Sequence, residues 1–179
     1  MEKLLKPILV SITLLFVSLF FYTSTTKQLD TMRVEQAKAI SFVSMKQRDK
    51  ELKCLANNIY YEAGGENFEG KVAVAQVTIN RTRDENFPKD VCGVVYQKNV
   101  VYKKVLCQFS WYCQSPNSAI DPKQNSAYHE SMEVAKKVLL EGFRLSSLNN
   151  ALYFHADSVN PKWPNRTRII KIGGHIFYS

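Results

Sequence analysis

The segment from Phe68 to Arg83 has the composition of a helix that is apolar on much of its circumference. Its apolar side chains do not form one narrow stripe; they are Val72, Ala73, Ala75, Val77 and Ile79. Asn67 stands directly before the segment and is a favourable helix N-cap. A helix of this kind has to be covered from several sides, so we expect it to lie at the centre of the domain.

Further elements are expected on both sides of this segment. A helix is predicted from Glu51, with apolar residues at helical spacing and Gly64-Gly65 as its end, and another from Ser126 to about Glu141. Residues 102–113 are aromatic and show no periodicity. Strands are predicted at 151–155, 168–172 and 175–178, with Gly173-Gly174 as a two-residue hairpin turn. The pattern predicts an α+β domain, mainly helical, with a small C-terminal sheet.

The N-terminus has the pattern of an export or anchoring signal. Lys3 and Lys6 precede the uncharged apolar run Ile8–Tyr22, a combination typical of a signal peptide or a signal anchor. The uncharged stretch is residues 7–26, which would rise about 30 Å as a helix and so just span a bilayer core. Because no A-x-A-like cleavage site follows, the sequence favours a retained membrane anchor over a cleaved signal.

This interpretation divides the chain into residues 1–26 as signal anchor or signal peptide, 27–50 as a polar tether, and 51–179 as the folded catalytic domain. The domain would face the periplasm or wall from the inner membrane, or be secreted if the signal is cleaved. The formal net charge of +8 suits a polyanionic partner. Outside the cytoplasm that partner is an anionic envelope polymer and not a nucleic acid.

Four cysteines occur, an even number in an oxidising compartment, and therefore predict two disulfides. They are Cys54, Cys92, Cys107 and Cys113. Three connectivities are open; in one of them Cys107 pairs with Cys113 and leaves Cys54 to Cys92. A zinc site is disfavoured because no C-x-x-C pair is present.

Glu62 is the carboxylate that points most clearly to chemistry. It lies seven residues after Leu55 and three after Ile59, on the apolar stripe of its own helix. A low-dielectric setting raises the pKa of a carboxyl group, as a general acid for glycoside cleavage requires. The alternative is a helix-edge glutamate that reaches solvent or pairs with Lys71 or Arg81.

Other side chains could support such chemistry. Glu66 is a candidate second carboxylate, since glycosidases commonly use a pair, whereas Glu69 is more typical of an acidic helix start. An aromatic set could stack on sugar rings or simply pack in the core. Its members are Tyr60, Tyr61, Phe109, Trp111, Tyr112, Tyr153 and Trp163.

Several blocks, in order along residues 52–178, resemble the cell-wall hydrolases of the spore-cortex-lytic (SleB/CwlJ) type. The blocks are CLANNIYYEAGGE at 54–66, EGKVAVAQVTINR at 69–81, FP at 87–88, VCGVVYQ at 91–97, CQFSW at 107–111, YFHA at 153–156 and IGGHIFY at 172–178. Gly64 departs from the family pattern, which has a charged residue there. Agreement of many separate blocks makes the resemblance specific.

The resemblance implies a lysozyme-like catalytic domain that cleaves the glycan strands of peptidoglycan, as a lytic transglycosylase or muramidase, without a cofactor. It implies that Glu62 is the catalytic acid and that one acid is sufficient. It further implies a glycan groove lined by Gln108, Phe109, Ser110, Tyr153 and His155; we add Glu66 to these as a substrate-binding candidate.

Two other functions remain open from the sequence. A zinc-dependent amidase or endopeptidase could use His155, Asp157 and His175, although no H-E-x-x-H or other tight ligand spacing occurs, so no metal is predicted. A non-catalytic wall-binding protein would keep the fold without the chemistry. The product of cleavage, the oligomeric state and a bacterial or viral origin are not determined by the sequence.

Overall fold

The computed structural model describes residues 2–114 and 125–179, with side chains described from Leu14 onward. The chain forms two compact units, Met1–Gln47 and Arg48–Ser179. Helix α1 runs from Glu2 to Ala63, and its N-terminal part makes up the first unit. Its C-terminal end belongs to the second unit, which also contains the other elements described below. The second unit is mainly helical with small antiparallel sheets, as the sequence predicts.

The first unit is helical, and its described side chains are almost all exposed. The hydroxyl groups of Ser18, Thr23 and Thr25 donate to carbonyl groups one turn earlier, at 2.9–3.0 Å. Nowhere in the described part of the chain does a helix combine the length and the apolar character needed to cross a membrane. The anchor predicted for residues 1–26 is therefore not supported there, and residues 8–13 of its apolar run lie outside the described side chains.

Four shorter helices and one 3₁₀ turn belong to the described part of the second unit. They are α2 (Phe68–Arg83), α3 (Val91–Val95), α4 (Ser110–Gln114), α5 (Ser126–Leu139) and the turn Ser146–Leu148. Asn67 caps α2 as predicted, its side chain accepting from the amide of Gly70 at 2.9 Å. The end of α1 before Gly64-Gly65 is also confirmed.

Helix α2 is the centre of the domain. Every residue from Gly70 to Arg81 is buried. Among the described residues there are two hydrophobic clusters, and in the larger one Val72, Ala75 and Ile79 pack with the end of α1, with α3 and with α5. Ala73 and Val77 pack in the smaller cluster, against the 3₁₀ turn and the C-terminal sheet. The central position expected from the sequence is confirmed, because the helix has apolar neighbours on opposite sides.

Polar side chains of α2 bind the backbone of the segment that leads into the C-terminal sheet. The Gln76 amide donates to the carbonyl of Leu145 at 3.0 Å and accepts from its N–H at 2.7 Å. Asn80 donates to the carbonyls of Leu148 and Ala151 at 2.8 and 2.9 Å. Buried polar groups are stable only when they are hydrogen-bonded in this way, so the pairs fix the path of residues 145–151 against α2.

Two strands form a hairpin that the sequence does not predict. Strands β1 (Lys98–Val101) and β2 (Lys104–Cys107) pair antiparallel. Their two-residue turn is Tyr102-Lys103, with φ of 47° and 63°. Such turns normally carry Asn or Gly, which adopt positive φ at low cost. A tyrosine and a lysine give no turn signal, so residues 102–113 carry no recognisable hairpin pattern.

The C-terminal sheet has three antiparallel strands in the order β3-β5-β4. They are β3 (Tyr153–Ala156), β4 (Arg168–Ile172) and β5 (His175–Tyr178). Gly173, at φ 55°, and Gly174 form the predicted turn between β4 and β5. This sheet, including the hairpin, is confirmed.

Two disulfides cross-link the second unit. Cys54 in α1 is bonded to Cys92 in α3, and Cys107 at the end of β2 is bonded to Cys113 in α4. Of the three connectivities left open by the sequence, this is the one that pairs the two cysteines nearest in sequence. The predicted division at residues 26 and 50 stays a prediction.

Removing the two disulfides should have unequal effects on stability. Cys54 and Cys92 are 38 residues apart in sequence, whereas Cys107 and Cys113 are 6 apart. Because a disulfide restricts the unfolded chain more when it closes a longer loop, we expect Cys54→Ser/Cys92→Ser to lower the free energy of unfolding by about 4 kcal/mol, and Cys107→Ser/Cys113→Ser by about 2 kcal/mol. Denaturant unfolding of the two double variants measures this; equal losses would contradict it.

Candidate active site

Glu62 lies in the last turn of α1 and is half-buried. Leu55 and Ile59, which share its side of the helix, are completely buried. Burial raises the pKa of Glu62 to about 7, while the positive charge of Arg81 acts in the opposite direction. The carboxyl group is therefore about half protonated at neutral pH, where an ordinary glutamate is ionised. This environment suits a group that gives up a proton and takes one back.

Arg81 of α2 is the charged group opposite Glu62. Its side chain is only 4% exposed. Nε donates to the carbonyl of Leu152 at 2.8 Å, and the guanidinium carbon lies 5.3 Å from the ring centre of Phe87 and 5.2 Å from that of Phe109. Nη1 is buried without a hydrogen-bond partner among the described residues. Burial lowers the pKa of Arg81 to about 10, partly offset by Tyr153 and Glu62, so the group is still cationic at pH 7.

Glu62 and Arg81 line a cleft with a volume of about 300 Å³. The cleft brings together five of the predicted site residues, which are Glu62, Gln108, Phe109, Ser110 and Tyr153. It also contains Trp163 from the aromatic set and Arg81, which the sequence offered only as a pairing partner of Glu62. Phe154 and Cys107 complete the wall. The acid thus faces a mixed polar and aromatic surface, as a carbohydrate site requires.

Residues 107–110 are held in the cleft wall by several contacts. The amide of Gln108 donates to the carbonyl of Gln97 at 2.9 Å, and the Phe109 side chain is buried. Behind them, the indole N–H of Trp111 donates to Asn58 of α1 at 3.1 Å. The Cys107–Cys113 disulfide joins the start of this segment to α4. The wall is therefore attached to α1, the helix that carries Glu62.

Glu66 does not line the cleft; it contacts the C-terminal hairpin. Its Oε1 accepts from the amide of Gly174 at 3.1 Å and lies 3.8 Å from Nδ1 of His175. A Cβ atom added at Gly173 would collide with Oε2 of Glu66. Burial holds the pKa of His175 below its ordinary value, against the opposite influence of Glu66. The geometry gives Glu66 a role in holding the hairpin.

His155 also lies outside the cleft wall. Its Nε2 is 2.9 Å from the hydroxyl group of Tyr178 and its Nδ1 is 2.8 Å from the carbonyl of Ala156. Its ring is stacked on that of Tyr178 and makes an edge-to-face contact with Trp163 at 5.4 Å. His155 therefore supports Trp163 from behind, and the predicted direct contact of His155 with substrate stays a prediction.

The three residues proposed as zinc ligands have other contacts. His155 is engaged as described, Asp157 forms an ion pair with Lys171 at 2.7 Å, and His175 faces Glu66. Among the described residues, no group of three or more His, Cys, Asp or Glu side chains is arranged to hold a metal ion. No observation in this part of the chain favours the zinc hypothesis.

Comparison with known proteins identifies the protein family to which the chain belongs. The Cell Wall Hydrolase family model matches residues 65–178, and the chain belongs to that family. The spore cortex-lytic enzyme of Bacillus cereus (strain ATCC 14579) is 32% identical over 130 residues, covering 71% of this chain and 43% of that protein. The enzyme of the same name from Bacillus subtilis (strain 168) is 29% identical over 132 residues, covering 72% and 37%. The chain spans less than half the length of these relatives.

Two solved structures share the fold. The catalytic domain of the Bacillus cereus SleB protein is 28% identical, with a TM-score of 0.53, and the match covers 73% of this chain and 91% of that one. The catalytic domain of the germination-specific lytic transglycosylase SleB from Bacillus anthracis is 30% identical, with the same TM-score, covering 72% and 93%. The second unit therefore has the fold of a SleB catalytic domain.

The pKa of Glu62 predicts a pH-dependent stability. Since the folded protein keeps this proton to about pH 7 and the unfolded chain releases it near 4.5, the free energy of unfolding should fall as pH rises from about 4.5 to 7. The Glu62→Gln variant lacks this loss. Its stability relative to the natural protein should grow by on the order of 2–3 kcal/mol over that range, as measured by urea unfolding at each pH. A difference that does not change with pH would contradict the assignment.

Proposed function

We propose that this protein cleaves the glycan strands of peptidoglycan, with Glu62 as the general acid. The observation that carries the proposal is a glutamate with a pKa of about 7 in a polar and aromatic cleft. Membership of the Cell Wall Hydrolase family supports it, as do the names of the spore cortex-lytic relatives.

The first chemical step breaks the bond between the anomeric carbon and the glycosidic oxygen. Glu62 in its protonated form donates its proton to the leaving oxygen, and the bonding electron pair leaves with that oxygen. A positive charge then develops at the anomeric carbon. The raised pKa makes the protonated form abundant near neutral pH.

The second step uses the Glu62 carboxylate as a base. It removes a proton from the oxygen nucleophile that attacks the anomeric carbon. If this nucleophile is the 6-hydroxyl of the same sugar, the product is a 1,6-anhydro ring and the enzyme is a lytic transglycosylase, which is the reaction we propose. If it is water, the enzyme is a muramidase. One group serves in both steps, first as acid and then as base.

A one-carboxylate mechanism agrees with the composition of the cleft. Among the described residues that line it, Glu62 is the only acidic one. Two-carboxylate glycosidases hold the second group at a defined separation from the acid, on the order of 5–10 Å. Glu66, the sequence candidate for this role, contacts Gly174 and His175 instead. An internal hydroxyl nucleophile requires no second carboxylate.

Arg81 supports the charged state of Glu62 between the two steps. When the acid has lost its proton, a carboxylate is left in a low-dielectric site, which is unfavourable without a counter-charge. The buried guanidinium of Arg81 supplies that charge, and its conformation is restrained by Leu152, Phe87 and Phe109. Arg81 is thus a positioning residue that stabilises the intermediate protonation state.

Replacement of the acid tests the proposed function. Glu62→Gln keeps the size of the side chain but cannot donate the proton, so we expect glycan cleavage to fall by at least about 10²–10⁴-fold. Digestion of purified peptidoglycan followed by mass spectrometry measures it, with anhydromuramyl ends expected from the natural protein.

Glu69→Gln is the matched control, because Glu69 is exposed near the start of α2 and outside the cleft. It should cleave like the natural protein. Full activity of Glu62→Gln would refute the assignment, free stem peptides would indicate an amidase, and loss of activity in EDTA would favour the zinc hypothesis. Wall binding without any cleavage product would indicate a binding protein.

Charge at position 81 should set the pH dependence of the reaction. Arg81→Gln removes the charge that lowers the pKa of Glu62, so the high-pH limb of kcat/KM should move upward by about one unit, while the maximal rate falls at least tenfold. Arg81→Lys should keep the limb near that of the natural protein. Activity measured from pH 5 to 9 tests this; a lower rate with an unmoved limb in Arg81→Gln would mean that Arg81 acts only on folding.

A further inference from the structure

A second cavity adjoins the catalytic cleft. It has a volume of about 380 Å³ and is lined by Tyr153, Trp163, Pro164, Asn165 and Arg166. Tyr153 and Trp163 also line the cleft that holds Glu62, so the two cavities share a wall. Glu62 lines the first cavity and not the second. A polymer chain bound at the acid can therefore continue into the second cavity.

Trp163 is fixed in place and still presents surface to a ligand. Its ring makes edge-to-face contacts with Tyr153, His155 and Tyr178, at centre separations of 6.3, 5.4 and 5.5 Å. At the same time 38% of the residue is exposed. An indole ring restrained in this way offers a preformed apolar platform for the C–H face of a pyranose.

Arg166 supplies a positive charge at the same cavity. Its guanidinium carbon lies 3.6 Å from the ring centre of Tyr153, which favours a flat arrangement on the ring and leaves the N–H groups at the guanidinium edge available. With residues 2–114 and 125–179 the exposed guanidinium of Arg166 forms no hydrogen bond and no ion pair. A planar guanidinium with available N–H donors is the group that best matches a carboxylate.

We propose that the second cavity is a subsite for a carboxylate-bearing muramyl unit of the glycan strand, separated by one N-acetylglucosamine from the muramyl sugar whose bond Glu62 cleaves. Trp163 stacks on its pyranose ring and Arg166 binds its carboxylate. The inference rests on the proposed function of the cleft. It adds a recognition element: the enzyme selects the strand by an acidic substituent and not by its sugar rings alone.

Kinetics of two variants test the subsite. Arg166→Gln and Trp163→Ala should each raise KM for soluble glycan strands about tenfold, the loss expected for one charge-assisted or stacking contact, with kcat changed less than about twofold. Trp163→Phe should restore most of the affinity lost in Trp163→Ala. Arg168→Gln is the matched control, because Arg168 is an exposed arginine of β4 outside both cavities, and its KM should be unchanged.

Three substrates identify the carboxylate. Strands with stem peptides carry peptide carboxylates, peptide-free strands carry the lactyl carboxylate, and peptide-free strands with that group amidated carry neither. The tenfold rise in KM caused by Arg166→Gln should occur with one or both of the charged substrates and not with the amidated strands. A rise confined to strands with stem peptides identifies a peptide carboxylate. A rise with peptide-free strands identifies the lactyl carboxylate.

The outcomes separate this proposal from the proposed function. An unchanged KM in both Arg166→Gln and Trp163→Ala overturns the subsite, even if Glu62→Gln is inactive. An equal penalty on charged and amidated strands overturns carboxylate recognition. Cleavage by Glu62→Gln at the natural rate overturns the proposed function, whatever the values of KM. A single cooperative thermal transition in each variant confirms that the fold is intact.

Discussion

The hydrogen bonds from buried side chains of α2 to the backbone between residues 145 and 152 are the interaction on which the rest of the domain depends. Gln76 lies one turn before Asn80 and Arg81 on one central helix, and all three bind carbonyl groups of the segment between α5 and β3. That segment leads directly into β3, which carries Tyr153. Because an unpaired buried polar group is costly, the alternative paths of this segment are unfavourable. The core helix therefore determines where the sheet and the aromatic side of the cleft lie.

The same helix controls the chemistry of the acid. Burial excludes water from Glu62 and favours its neutral carboxyl group, while the positive charge of Arg81 on α2 favours the ionised form. In the proposed mechanism Glu62 changes its protonation state twice in a cycle, and neither influence alone would suit such a group. A carboxyl group without the counter-charge would hold its proton too tightly, and one in water would lose it at neutral pH. The balance between burial and one opposite charge gives Glu62 a pKa of about 7.

Much of the fold could be predicted from the sequence, and the reasons for the failures are specific. Asn67, Gly64-Gly65 and Gly173-Gly174 are local signals, and the elements they delimit were found where expected. The Tyr102-Lys103 turn carries no local signal, because its positive φ angles are adopted by residues that rarely have them. For the site, helical spacing put Glu62 on the apolar side of its helix, where it is half-buried, but spacing alone left a solvent-reaching or paired glutamate as an alternative. Glu66 could not be placed from spacing, since its partners are over a hundred residues away in the chain. Arg81 was named only as a pairing alternative, although a charged residue near the end of a helix that is expected to be central is itself a signal.

The cleft takes its walls from α1, α2, the segment after β2, β3 and the loop that carries Trp163. The residues that line the cleft extend from Glu62 to Trp163, about a hundred positions along the chain, so no short stretch of sequence contains the site. Catalytic geometry in such a site is a property of the complete tertiary structure and of no smaller fragment. Loss of activity is then a more sensitive indicator of loosened packing around α2 than helix content is. If the proposed function holds, the protein becomes inactive while its helices persist in a compact state that keeps secondary structure but has lost fixed side-chain packing.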